Sequence, residues 1–531
     1  MKFPSASFVS FLPLATWIPT RRQIVMLVAV GLSLRAWHYL RGPSIWGDEA
    51  ALIVNVLSKG FGELLGPLFF HEAAPPLFLW IEKTVCLVFG DGIYALRFIP
   101  FAASCAGMVL MPYVARRVVR AEAVGWVLLL FAVSDRLLHH ACEAKQYALE
   151  CLAGAVLLGM YVALRSWPPR RQLALHALLA PCLLWVCYSA CFLYGGLLVA
   201  LLPLVWRPGG ALAVSAKVWL CYGLLVLAVF GSFGWLLMGP IDCQRDVEIV
   251  QCWIRGEKFP NWQRPWSLPL WSARSTLELV DYFCRPVGHV LAPVALVGLL
   301  SLWRRQGTAL AAYLILPIAL AFGSSLAMAY PFGGARVMCF CLPAIALLVG
   351  EGAPTTIAWL SRRHRLAAAA LVLALFLPVG RTVWLAFFPW NRADSTGAAN
   401  YVLTHRRPSD FVTGNAWDYI YLFRDLGPSF APLAPGRLDS AAERMWVLIT
   451  EITPGERERD FRAGVPPEWE IVEEHEFAKT DVYLMRRAKP VAALARSDTN
   501  PRRKQGAALN VPCLPRESGG WWQSLSDAPA R

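Results

Sequence analysis

Apolar runs long enough to cross a bilayer, separated by short basic clusters, limit this chain more than any other feature. Blocks such as Leu291–Leu302, Ala309–Phe322 and Ala367–Val379 complete stretches of ~20 apolar residues, the length of helix that crosses the hydrocarbon layer. Inside lipid every backbone N–H and C=O must be satisfied within its own segment, so such runs become helices. Only 16% of the residues are charged and 57% are hydrophobic, whereas soluble domains carry about 25% charge. The spacing predicts an all-α polytopic membrane protein with about 11 transmembrane helices. They fall near 23–40, 97–118, 122–138, 144–164, 172–188, 190–206, 214–238, 286–303, 308–329, 334–352 and 365–388.

The net charge of +14 does not mark a nucleic-acid binder, because the basic residues form no single patch. They sit between apolar blocks, at Arg116/Arg117/Arg120, Arg165/Arg170/Arg171, Arg207/Lys217, Arg304/Arg305 and Arg362/Arg363/Arg365. That is the bias of cytoplasmic loops. It puts the N-terminus inside and the acids Asp48, Glu49, Glu63, Glu72 and Glu143 outside. Residues 1–22 read as a cytoplasmic lead-in, since Pro13 and Pro19 interrupt the apolar Phe8–Ile18 and Arg21 and Arg22 stand where a cleavage site would lie. The transmembrane domain is expected over 23–388, with long outer loops at 41–96 and 239–285. Stretches 49–58 and 76–89 of the first loop read as helices lying along the interface, and the tryptophans of the second suit the headgroup layer. Residues 389–487 are mixed and polar, with β-like runs at Trp446–Thr450 and Val482–Met485. They are expected to form a small extracytoplasmic α/β domain. Residues 488–531, rich in Pro, Ser, Arg and Gly, read as a disordered tail. Most cysteines lie in apolar blocks and act as small hydrophobes, while Cys243 and Cys252 share an outer loop and could bridge there.

Four outer clusters could carry chemistry. Trp46-Gly47-Asp48-Glu49-Ala50 follows the first span; paired carboxylates there suit general-base work or a metal, or else are solvated loop acids. His71-Glu72, ahead of Pro75-Pro76-Leu77, offers two ligand types for a divalent ion, or an ordinary loop acid and surface histidine. In His139-His140-Ala141-Cys142-Glu143-Ala144-Lys145-Gln146-Tyr147, helical spacing puts Glu143 and Tyr147 on one face and Lys145 elsewhere. That cluster suits an anionic headgroup, or interfacial anchoring. In Tyr330-Pro331-Phe332-Gly333-Gly334-Ala335-Arg336, Arg336 is a lone basic residue in a short outer loop. It suits a phosphate, or snorkels. Arg35 and Arg97 lie near the outer ends of the first two spans.

The ordered set Arg35, Trp46-Gly47-Asp48-Glu49-Ala50, Pro75-Pro76-Leu77, Arg97-Phe98-Ile99-Pro100 and Glu143-Ala144-Lys145-Gln146-Tyr147 resembles the multispanning glycosyltransferases of the GT-C type. It is most similar to the family 39-like group, which includes protein O-mannosyltransferases and the aminoarabinose transferases that modify lipid A. The set covers roughly residues 30–160, and Tyr330–Arg336 extends it. The resemblance implies a sugar on a polyprenyl phosphate as donor and a lipid, glycan or protein hydroxyl as acceptor. It implies Asp48 as the base, with Glu49 and Glu143 as further catalytic acids. Arg35, Arg97, Lys145, Tyr147 and Arg336 would bind substrate. Members often carry Arg where this chain has Lys145, so one bidentate fork is missing here. A divalent metal at His71 and Glu72 is an open alternative, and no other cofactor is implied. The expected place is a bacterial inner membrane, with the C-terminus outside. Competing readings are a lipid-linked sugar flippase, which predicts polar residues at mid-membrane, an O-antigen-ligase or polymerase-like enzyme, which leans on outer Arg and His, and a membrane scaffold that tolerates loss of the acids.

Overall fold

The computed structural model describes residues 12–206, 216–433, 442–451, 461, 464–465 and 468–487. The expected tail 488–531 and the first half of the lead-in lie outside the described residues. Seven helices are long and apolar enough to cross a membrane: Arg21–Leu40, Phe98–Val118, Tyr147–Leu164, Ala216–Gln244, Thr308–Leu326, Arg336–Arg363 and Arg365–Phe387. An eighth span is formed if Pro265–Phe283 and Gly288–Gln306, which meet at 95°, are taken together. The chain is an integral membrane protein.

The count of eleven is therefore not reached by length and composition. The span expected at 122–138 stops at Ser134, and the chain restarts as Asp135–His140. Ser134 Oγ donates instead to the Phe283 carbonyl at 2.9 Å. The span expected at 172–188 is the helix Pro169–Val186, whose start carries Arg170, Arg171, Gln172 and His176. The span expected at 190–206 is a shorter apolar helix, Ala190–Leu204. The second outer segment is more helical than expected. It contains Val247–Arg255 and Leu268–Phe283. The first contains Gly47–Ser58 and Pro76–Phe89. Cys243 and Cys252 are both free and exposed.

Local chemistry starts and stops these elements. Thr20 and Gln23 form a reciprocal capping box at the head of Arg21–Leu40. Pro76 occupies the first turn of its helix, where its missing N–H costs nothing, and Gly90, at φ 86°, ends it. Close helix crossing needs glycine in particular places. A Cβ on Gly298 would lie 1.9 Å from the Leu348 carbonyl, and one on Gly352 would lie 1.9 Å from that of Val294. Helices Gly288–Gln306 and Leu342–Arg363 thus meet backbone to backbone.

Helix Phe98–Val118 separates two polar layers. It has 21 residues, which is about 30 Å of rise. Ahead of its first turn Arg97 pairs with Glu49. Beyond its last turn Glu351 accepts from the Arg120 backbone N–H at 2.8 Å and from its Nε at 3.0 Å, while Arg305 donates to the Val118 carbonyl at 2.6 Å. The acids of the outer clusters and the basic clusters are thereby about a hydrocarbon thickness apart.

After helix Arg365–Phe387 the chain builds a five-stranded sheet. Its strands are β1 (Phe411–Gly414), β2 (Phe430–Pro432), β3 (Arg444–Thr450), β4 (Trp469–Phe477) and β5 (Thr480–Arg487), in the order β2-β1-β3-β5-β4. β1 runs parallel to β2 and β3, and β5 runs antiparallel to β3 and β4. Helix Ser395–His405 covers one face through Ala398, Ala399 and Val402, which pack with Val412, Trp446, Leu448, Val482 and Leu484. The short helix Asp418–Leu422 packs its Tyr419 into the same core against the sheet. Its Tyr421 joins Ile45, Ala50, Ile53, Val54, Leu96 and Ala144 in a separate apolar cluster. The sheet unit therefore rests directly on Gly47–Ser58, the helix that begins with the acid pair.

Candidate active site

The site is built on the first turn of Gly47–Ser58. Trp46 precedes it in extended conformation, and no side chain caps the helix. Asp48 and Glu49 stand there, where the partial positive charge of the helix end favours carboxylates. Being adjacent on the turn, they point in different directions and meet different partners.

Asp48 faces the open side, and its side chain keeps 20% of its exposure. One oxygen lies 2.7 Å from Arg336 Nη2 and the other 3.2 Å from Lys145 Nζ. Lys145 also donates to Glu72 Oε1 at 2.7 Å, so one buried ammonium bridges two carboxylates. Arg336 keeps 28% exposure and is ringed by aromatics. Its guanidinium carbon lies 5.4 Å from the Trp46 ring, 5.7 Å from Tyr147 and 5.7 Å from Trp253. Burial, opposed by Lys145, raises the Glu72 carboxyl from 4.5 to about 7. Three separate parts of the chain thus place two carboxylates and two cations around the opening at which Asp48 and Arg336 remain partly exposed. Gly154 allows part of this, because its missing Cβ would sit 2.2 Å from the Phe340 carbonyl. Helix Tyr147–Leu164 can therefore lie against the tight turn Arg336–Cys341.

Glu49 is different. It is fully buried, at 0% exposure. Arg97 grips both its oxygens, with Nε at 2.6 Å and Nη2 at 2.7 Å, and the Ala144 N–H donates to it at 2.8 Å. Arg97 also donates to the Pro43 carbonyl at 2.7 Å. This bidentate pair stands behind the opening and ties the acid turn to the Glu143–Tyr147 segment. Glu49 and Arg97, expected as catalytic and substrate-binding residues, have their polar atoms committed to protein. Arg35, expected to bind substrate, is not at the opening. It is fully buried and donates to Ser104 Oγ, the Gly31 carbonyl and the Phe131 carbonyl at 2.9, 2.9 and 3.2 Å.

Glu143 is also fully buried. It accepts from Trp46 Nε1 at 3.1 Å and pairs with His140 Nδ1 at 2.8 Å. Burial opposes its charge, but hydrogen bonds with His139 and His140 outweigh that and hold the carboxyl well below its usual range. The shared helix face expected for Glu143 and Tyr147 is absent, because residues 141–146 form turns and the helix begins at Tyr147. His140 lies beside both instead, pairing with Glu143 and packing its ring 5.0 Å from that of Tyr147.

The residues present do not fit a divalent ion. His71 pairs with Asp246, while Glu72 already holds the Lys145 ammonium, so the two expected ligands have turned to separate partners. Among the described residues, His139, His140 and Glu143 do bring ligand atoms within 4.8 Å of one another. However, Arg392 Nη2 lies 2.7 Å from His139 Nε2. A guanidinium can only donate, so Nε2 accepts and the proton sits on Nδ1, the atom a metal would need. His140 Nε2 is likewise taken by the Tyr282 hydroxyl at 2.7 Å.

The residues that sequence reasoning passed over are Trp253, Tyr282 and Arg392. Arg392 carries the same signal as Arg336, a lone arginine at the expected outer end of a span. Trp253 was visible only as one of several interfacial tryptophans.

No protein-family model matches the sequence, and no curated protein matches it. Solved structures do. ArnT from Cupriavidus metallidurans bound to undecaprenyl phosphate is similar with a TM-score of 0.52 and 12% identity, over 90% of this chain and 100% of that one. The same protein in the apo state gives 0.49 and 11%, over 87% and 97%. The archaeal oligosaccharyltransferase AglB from Archaeoglobus fulgidus, in complex with an inhibitory peptide and a dolichol-phosphate, gives 0.41 and 12%, over 77% and 64%. The first of these likenesses covers nearly the whole chain, and the chain shares the fold of that ArnT structure.

Proposed function

We propose that this chain is a membrane glycosyltransferase that moves a sugar from a polyprenyl-phosphate donor to an acceptor hydroxyl of a lipid, glycan or protein. The reaction takes place at the extracytoplasmic face of a bacterial inner membrane, with the N-terminus inside and the sheet unit outside. The observation that carries the reading is Asp48, a partly open carboxylate held between Arg336 at 2.7 Å and Lys145 at 3.2 Å. The fold shared with an ArnT structure that binds undecaprenyl phosphate supports the lipid-phosphate donor.

The geometry supports a role for each group. Asp48 is the counter-ion of both cations. A donor phosphate entering beside Arg336 and Lys145 competes for them and releases an Asp48 oxygen toward the acceptor. The acceptor hydroxyl then attacks the anomeric carbon, its proton passes to Asp48, and the bond from that carbon to the phosphate oxygen breaks. The leaving polyprenyl phosphate keeps the bonding electrons, and Arg336 and Lys145 stabilise its charge. A single displacement inverts the anomeric centre. Glu49, Arg97 and Glu143 hold the acid turn in place.

Asp48→Asn in full-length protein, reconstituted in lipid with polyprenyl-phosphate sugars, tests the base. Transfer is expected to fall by about 10²–10⁴-fold, with the protein normally inserted. Near-normal transfer would refute the assignment.

A further inference from the structure

We propose that Arg392 is a positioning residue for this reaction, clamping the segment that delivers Asp48 and tying it to the C-terminal sheet unit; the proposal rests on the glycosyltransferase reading. Arg392 lies just past helix Arg365–Phe387, and its side chain is 10% exposed. Nη1 donates to the Ser44 carbonyl at 3.1 Å, and Nη2 donates to His139 Nε2 at 2.7 Å. Nη1 is also 3.9 Å from Glu49 Oε2, and the guanidinium lies 5.9 Å from the Trp46 ring. It thus touches residues on both sides of Asp48 without touching Asp48. Arg97 holds the preceding carbonyl, that of Pro43, at 2.7 Å. Two guanidinium groups on consecutive carbonyls fix the entry to the acid turn, and buried Glu49 balances them.

The contacts require arginine. The Ser44 carbonyl and His139 are met by two different nitrogens of one planar fork, Nη1 and Nη2, a geometry that the single nitrogen of lysine does not reproduce. Donation into His139 Nε2 also sets that ring's tautomer, leaving Nδ1–H toward Glu143 Oε2 at 3.6 Å. Burial and the charge of Arg392 lower His139 to about 3, so the ring stays neutral.

Arg392 sits on a strap with a second set of ties. Asp394 N–H donates to the Ala478 carbonyl at 2.8 Å, in the turn between β4 and β5. Lys479 of the same turn donates to the Asn391 carbonyl at 3.4 Å. On the other side, Ser44 Oγ donates to Asp394 Oδ1 at 2.8 Å. A shift of the sheet unit is therefore carried through residues 391–394 to Pro43–Trp46.

The test compares Arg392→Ala and Arg392→Lys with wild type as full chains in lipid nanodiscs. For Arg392→Ala, kcat is expected to fall about 100-fold, the usual effect of misplacing a reacting group by ~1 Å. The KM for the polyprenyl-phosphate sugar should stay within about twofold, because Lys145 and Arg336 are untouched. Arg392→Lys should recover only part of kcat. Hydrogen exchange over residues 43–50 should rise about tenfold in Arg392→Ala, with the long helices unchanged. Wild-type kcat and wild-type exchange over 43–50 in a folded Arg392→Ala would overturn the proposal. So would equal losses of kcat and donor affinity, which would put Arg392 in the donor site. If the wild-type protein transfers no sugar, the glycosyltransferase reading fails, and exchange over 43–50 alone decides the clamp.

Discussion

Glu49→Gln separates a supporting acid from a reacting one. In the structure Glu49 receives three hydrogen bonds of 2.6–2.8 Å, two of them from Arg97, and both side chains are buried. A glutamine carries one carbonyl oxygen where there were two. Its amide nitrogen would face Arg97 Nη2 donor to donor, so the guanidinium would keep the remaining oxygen through Nε and the Pro43 carbonyl through Nη1, with Nη2 left buried without an acceptor. Breaking one side of a buried ion pair costs about 3–5 kcal/mol. At ~1.4 kcal/mol per tenfold, local opening around the acid turn should become roughly a hundred to several thousand times more frequent. Hydrogen exchange over 43–50 and 93–100 reads this directly, and thermal unfolding in detergent reads the global share. The double variant Glu49→Leu/Arg97→Met should recover most of the loss, since apolar replacement of a whole buried pair is often neutral. Recovery will be incomplete, because the Pro43 carbonyl loses its donor. If Glu49→Gln abolished transfer with unchanged exchange and an unchanged unfolding midpoint, the reasoning would be refuted, and Glu49 would belong to the chemistry.

Two further outcomes follow from the same geometry. With Glu72 raised to about 7, the site carries one more net positive charge below that pH than above it. The donor KM should therefore rise as pH climbs through about 7. A raised acid also means stability is lost as pH rises from 4.5 to about 7. Glu72→Gln should flatten the KM profile and be the more stable protein at pH 8; a persisting KM inflection would assign it to another group. Gly298→Ala places a Cβ 1.9 Å from the Leu348 carbonyl, so two helices must part, at a cost of ~1–3 kcal/mol. A lowered unfolding midpoint is expected, and an unchanged one would refute the close crossing.

Hydropathy made the long helices legible, since a span needs only a run of apolar residues. It missed the break at Ser134 because the cause is tertiary: the hydroxyl bonds a carbonyl of residue 283. It also missed the helix Leu268–Phe283 and the bend after it, in a segment read as an outer loop whose tryptophans suit the headgroup layer. Within the site, charge bias singled out Arg336 because it is a property of sequence order, and Arg336 lies 2.7 Å from Asp48. The same rule applied to Arg35 and Arg97 led to substrate roles, whereas packing buries both against carbonyls, a serine or Glu49. Burial depends on what arrives from elsewhere in the chain, and no local pattern reports it. Glu72 illustrates this as well: a loop acid beside a histidine suggested a metal, yet the cation that reaches it is Lys145.

The span of chain between Asp48 and Arg336 has a consequence for biogenesis. The two partners are 288 residues apart, and translation adds about 5–20 residues per second. The acid turn therefore emerges from the ribosome some tens of seconds before its arginine exists. During that interval the nascent chain threads several helices into the bilayer while Arg336 is still missing from the cluster. The later of the two cations beside Asp48 comes from a late-made helix, so a product truncated before it keeps Lys145 but lacks Arg336. Completion of synthesis is in this sense built into the site as a condition for its assembly.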